Sequence, residues 1–259
     1  MSFGLIMNAI VCFAIVLATF AFAITLHQNK NKQKIESRPT LNTLIAFWLL
    51  VGTFFLFAGL RTLAAYGNFA LVETSLYNFG SIPFAFITVP LVYFIIYIIL
   101  GDHRASLGVS TVFFIFGSIY LIALFGFGII GPFTDEWGST FEINSDVAIN
   151  VYLSGLFIVP TSMILGLMLL ILLQRVPKRV QNRIAFSLVA ISLIFDFMLL
   201  DNIAPSGATQ MAARIFIFIG VVLGYFSYFS ESFDKRLEMM DRRLGVSQTE
   251  LEDFENEYE

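Results

Sequence analysis

Seven times along the chain, long runs dense in Leu, Ile, Val, Phe and Ala appear with at most two charged residues in each. They cover about 3–26, 42–65, 76–100, 108–130, 147–173, 184–203 and 208–229. Each reaches the roughly 20 residues that a helix needs to cross the hydrocarbon layer of a bilayer. Polar, Gly- or Pro-bearing breaks such as Gly131-Pro132 and Pro205-Ser206-Gly207 separate them. The pattern predicts an all-α integral membrane protein: a seven-transmembrane-helix bundle over residues 1–230, followed by a polar segment, 231–259. The first run is longer than the roughly 7–15 residues of a signal-peptide core and lacks a basic start, so it is expected to stay as a helix.

Composition agrees with lipid as the solvent. Of 259 residues, 58% are hydrophobic and 13% charged, and mean hydropathy is +0.82; a soluble domain is about 45–50% apolar and about 25% charged. The single cysteine, Cys12, lies in the first run, which excludes an intrachain disulfide and a cysteine metal site; inert packing is expected of it.

Charge then orients the bundle, because cytoplasmic connections keep an excess of Lys and Arg. Lys30, Lys32, Lys34 and Arg38 follow the first run, Arg104 the third, Arg175, Lys178, Arg179 and Arg183 the fifth, and Lys235, Arg236, Arg242 and Arg243 the seventh. The other connections carry Glu73, Asp135, Glu136, Glu142, Asp146 and Asp201 and no basic residue. The expected topology has the N-terminus outside and the C-terminus cytosolic, in a multi-pass protein of the cell membrane. Residues 131–146 form the only outer loop long enough to fold over a site; the plainer reading is a solvated connector with Trp137 at the lipid headgroups.

Ionisable groups at membrane depth usually face the protein interior and mark function. At about 1.5 Å per residue, Asp196 and Arg214 both fall roughly 10 Å below the outer surface. They are expected to pair, either as a structural tie between the sixth and seventh helices or as a ligand-facing switch. Arg61 lies near the outer end of the second helix, where it either snorkels to the interface or joins Tyr66, Tyr77, Asp201 and Gln210 in lining an outward-facing pocket. Pro83, Pro90 and Pro160 each remove a backbone hydrogen bond, making them candidate hinges or ordinary membrane-helix bends.

Other chemistries lose their residues. His27 and His103 sit at cytoplasmic helix ends, leaving no intramembrane histidine for haem or metal. Microbial rhodopsins attach retinal to a lysine of the seventh helix, and 208–229 contains none. No phosphate-binding glycine loop or hydrolase motif stands out. No cofactor, metal, nucleic-acid partner or enzymatic activity is expected.

Past residue 229 the apolar positions Phe233, Leu237, Met240, Leu244, Leu251, Phe254 and Tyr258 follow heptad spacing with Ser247 at the missing place. This predicts a cytosolic amphipathic stalk with an acidic end, offered to a signalling protein or a second copy, or else a solubilising terminus. In the runs AFWLLVGTFFLFAGLRTLA (with Trp48), RVPKRVQNRIAFSLVAISLIF and IGVVLGYFSYF leading into the stalk, the membrane part resembles the seven-helix sensor modules of prokaryotic histidine kinases. The resemblance implies signal transduction, and with no kinase or other output domain in this chain it implies signalling through a partner. Two functions are carried forward: a receptor-like sensor binding a small ligand in an outward pocket, and a transporter, channel or structural subunit of a larger membrane complex.

Overall fold

The computed structural model describes residues 3–29, 38–173, 178–204 and 206–244. In chain order it contains α1 (Phe3–Asn29), α2 (Arg38–Tyr66), α3 (Ala70–Phe86), α4 (Thr88–Leu100), α5 (His103–Phe127), β1 (Ile129–Thr134), β2 (Ser139–Ile143), α6 (Asp146–Asn150), α7 (Val159–Leu173), α8 (Lys178–Ile203) and α9 (Gly207–Leu244). Six helical runs are long and apolar enough to cross a membrane: Phe3–Gln28, Pro39–Tyr66, Ala70–Leu100, His103–Phe127, Asp146–Leu170 and Gly207–Phe226. The chain is a multi-pass membrane protein. Its outer surface is correspondingly apolar, with Leu17, Leu71, Ile122, Leu169 and Phe226 all exposed.

The helices close into a ring. α1 packs on α2 and on α9, α2 on α3 and α4, α4 on α5 and α7, and α8 bridges α7 to α9. Trp48, Phe22, Phe47, Phe55 and Phe195 fill the centre and are almost fully buried. Phe157 links two sides of the core, its ring centroid 5.7 Å from Phe84 and 4.8 Å from Phe195.

The prolines act unequally. Pro90 cannot donate to the carbonyl of Phe86, and the third apolar run breaks there, at Ile87, whose N–H instead reaches Phe84 O at 3.3 Å. Pro83 sits inside α3 without interrupting it. Pro160 follows a stretch of wider π turns, Val151–Ile158, at whose end Val159 N–H bonds Ser154 O, five residues back. The connection between α4 and α5 is a paired stop and start. Gly101 takes a left-handed φ of 66°, and the Asp102 carboxylate accepts from Arg104 N–H at 2.8 Å.

Two expectations are corrected. The fold is not purely helical, because residues 129–143 form an antiparallel hairpin, and the predicted fourth run (108–130) ends early, at Phe127, before Gly128 with its φ of 77°. The third run begins at Ala70 rather than 76, which moves Glu73 from a connection into the first turn of α3, where it is buried. The last helix runs without a break to Leu244. Of the anticipated stalk and acidic tail, residues 245–259 lie outside the described residues.

Candidate functional site: a buried arginine network beneath a hairpin

The hairpin crosses one end of the ring, the end carrying the acidic connections. Its turn is built by Asp135, whose carboxylate accepts from Trp137 N–H at 2.7 Å and Gly138 N–H at 2.8 Å, while Asp135 N–H bonds Gly138 O at 2.9 Å. The other Asp135 oxygen accepts from Gly207 N–H at 2.7 Å, at the first residue of α9, where a negative charge is favoured by the helix dipole. Burial pushes the Asp135 carboxyl up, but these three backbone donors outweigh it and hold the group below the ordinary carboxylate range.

The tip sits this close because of glycines. A Cβ at position 207 would lie 2.2 Å from both Asp135 Oδ1 and Gly138 N, one at 138 would lie 2.8 Å from Gly207 Cα, and one at 4 would lie 2.4 Å from Glu136 O. From α1, Asn8 donates to Trp137 O at 2.6 Å. Further along β2, Ser139 O accepts from Arg61 Nη2 at 3.3 Å and Gln210 Nε2 at 3.4 Å, and Ser139 Oγ donates to Glu73. The long loop therefore folds over the bundle, drawing on α1, α2, α3 and α9.

Below it lies Arg214 on α9, with no exposed surface. Its Nε donates to Asp201 Oδ1 of α8 at 2.7 Å, and its Nη1 to Asn8 Oδ1 at 2.9 Å and Thr62 Oγ1 at 3.3 Å. The expected partner was Asp196. Here the sequence-based pairing is overturned: Asp196 lies on an exposed side of α8, where Thr161 Oγ1 donates to it at 3.2 Å and Ser192 Oγ at 3.0 Å. The two acids are five residues apart, so at 100° per residue they point in clearly different directions, and it is Asp201 that faces inward.

Arg61 does not snorkel. It is 8% exposed, its guanidinium stands over the rings of Tyr77 at 5.4 Å and Phe141 at 5.5 Å, and its Nε has no protein partner. It borders a narrow cleft with Phe54, Phe84, Tyr77, Ser81 and Asn202, whose water-accessible space of about 20 Å³ holds one or two waters. Gln210 Oε1 and Arg214 Nη2 likewise lack a protein partner. The arrangement thus offers buried guanidinium hydrogens, an amide and hydroxyls beside aromatic rings, donors suited to an anionic or acceptor-rich group.

Of the residues singled out in the sequence, Arg214, Asp201 and Gln210 join one network with Arg61, and Tyr77 packs beneath Arg61. Tyr66 is half-buried at the end of α2, and Asp196 bonds Thr161 and Ser192 instead. Sequence reasoning missed Asp135, Ser139, Gly4, Gly138 and Gly207. The one signal that could have flagged them was the length and glycine content of the loop itself. Among the described residues no three His, Cys, Asp or Glu side chains gather as a metal set. No protein-family model matches the chain, and no curated protein matches its sequence.

Proposed function

We propose that the protein is a receptor-like membrane sensor of seven passes, N-terminus outside and C-terminus cytosolic, that reads a small ligand at the hairpin end and reports it through α9. One observation carries this reading. α9 begins under the hairpin at the Gly207–Asp135 bond, holds Arg214 in the buried network, and continues as a single helix to Leu244. Its 38 residues span about 57 Å, almost twice the hydrocarbon thickness of a bilayer. A change in the hairpin network therefore moves the same rigid element that emerges on the far side. In this reading α8, which packs between α7 and α9, supplies the remaining pass, and the Lys and Arg of the opposite connections support a hairpin on the outside. Ligand entry at the Arg61–Tyr77 cleft would compete with Ser139 O for the Arg61 guanidinium and so loosen the hairpin, a switch between two hydrogen-bonded arrangements. The stalk would pass the change to a cytosolic partner or a second copy.

The test is ligand-induced stabilisation of the nanodisc-embedded protein across a panel of small carboxylates, phosphates and sulfonates. The expected result is that one anion class raises Tm in the native chain and not in Arg61→Gln. A panel without effect on Tm would favour the second reading, a structural subunit of a membrane complex. What supports that reading is the tightness of the core: Trp48, Phe47, Phe55 and Phe195 are buried to within 1%, and the cleft admits only a water or two.

A further inference from the structure

We infer that Asp196 and the exposed side of α7 and α8 form a docking site for a transmembrane helix of another protein, one that carries a lysine or arginine at the same depth. Asp196 lies seven residues from the hairpin end of α8, which in the seven-pass reading proposed above, on which this inference rests, sets it about 10 Å into the layer. Around it the surface is apolar and meant for lipid: Val189, Ile158, Val159 and Leu165 are all exposed. A carboxylate on such a surface is costly and normally turns inward or finds a partner. Asp196 has done so only in part. Two hydroxyls, from Thr161 and Ser192, approach it, while a carboxylate offers about four acceptor positions.

Among the described residues no cation of the chain completes it. Arg214 is committed to Asp201 and Arg61 to Ser139 O, both deep inside the ring. Along α8 the nearest basic position, Arg183, is 13 residues away, about 20 Å. A second copy fits poorly as the occupant, because a two-fold contact at this face would set Asp196 against Asp196, and among the described residues no basic side chain is exposed at that depth. Charge complementarity therefore asks for a different chain. Shape supports the same occupant: on α7, Ser162 and Gly166 are exposed one turn apart, and a Cβ at 166 would meet nothing within 4 Å, leaving room for a helix backbone to approach closely.

The full chain, donor-labelled in lipid vesicles, would be titrated with an acceptor-labelled Leu/Ala transmembrane peptide bearing one lysine placed about 10 Å from the hairpin-side surface, and with its Lys→Leu counterpart. The expected result is that the lysine peptide associates about five- to tenfold more tightly than the leucine peptide, and that Asp196→Asn, which keeps the native Tm, removes the difference. Equal association of the two peptides with the native chain would overturn the proposal without recourse to any variant. So would a lysine preference that survives in Asp196→Asn, or self-association of the native chain that Asp196→Asn abolishes, which would make the occupant a second copy.

Discussion

Gly207→Ala should release the hairpin. The added methyl carbon would stand 2.2 Å from Asp135 Oδ1 and from the backbone nitrogen of Gly138, where contacts under 3.0 Å are not tolerated. Backbone atoms lie on both sides, so no side-chain rotation relieves the clash, and the tip must retreat by roughly 1 Å to restore ordinary contact. That stretches the 2.7 Å bond between Gly207 N–H and Asp135 toward the limit of hydrogen bonding and pulls on the 2.6 Å bond from Asn8 to Trp137 O. A hydrogen bond to a charged group is worth about 1.5–3 kcal/mol, and the lower half of that range applies because Asp135 is exposed to water on one side. Against it stands a gain of a few tenths of a kcal/mol from replacing glycine at a helix start. The net loss is about 1–2 kcal/mol. In a Trp48→Phe background, which leaves Trp137 as the only tryptophan, the assay combines thermal unfolding in nanodiscs with quenching of Trp137 by iodide. The expected outcome is a lower Tm with faster quenching. Adding Asp135→Asn should cost little more, because both changes strike one bond. An alanine variant with native Tm and native quenching would refute the seating of the hairpin on α9.

Three further outcomes follow from the same geometry. Because its three backbone donors hold the Asp135 carboxyl below its ordinary value, docking of the hairpin is fully stabilised above the unfolded carboxylate pKa of about 4 and is lost as pH falls through the lowered folded value; Trp137 quenching should stay flat from pH 5 to 9 and rise only below about pH 4. Asp201→Asn and Arg214→Gln should each cost about 3–5 kcal/mol and be strongly coupled in a double-mutant cycle, whereas Asp196→Asn should change stability by under about 0.5 kcal/mol and show no coupling to Arg214, as urea or thermal unfolding would show. Arg61→Met should be close to neutral or raise Tm, since among the described residues no carboxylate forms a salt bridge with Arg61 and Ser139 O keeps its bond from Gln210; a loss beyond about 2 kcal/mol would mean that its ring contacts or its charge near the buried Glu73 dominate.

What could be read from the sequence was the part governed by period and length. Runs of 20 or more apolar residues forced helices, and the boundaries at Asn29, Tyr66 and Leu100 fell within a few residues of expectation because charge, Gly-Asn or Gly-Asp marks each junction. Pro90 and Pro160 were identified as disturbances, and each lies beside an irregularity, while Pro83 shows that a missing N–H alone does not break a helix. The hairpin was not legible. In β1, Ile129 and Ile130 extend the apolar run before them as far as Gly131-Pro132, and only Gly128, at its φ of 77°, separates helix from strand. Apolar continuity carries no information about where a helix hands over to a sheet.

The site divides along the same line. Depth could be counted, and it placed Asp196, Asp201, Gln210 and Arg214 in the same half of the layer. Which of the two acids meets Arg214 depends on azimuth, and α8 is apolar on nearly every side, so it gives no stripe by which to fix its rotation. The choice is made by what α8 packs against: Ile194, Phe195 and Met198 are turned into the core, which carries Asp201 inward and leaves Asp196 facing out. The same rotation that buries Asp201 leaves Asp196 exposed, and among the described residues the first meets Arg214 while only the Thr161 and Ser192 hydroxyls reach the second.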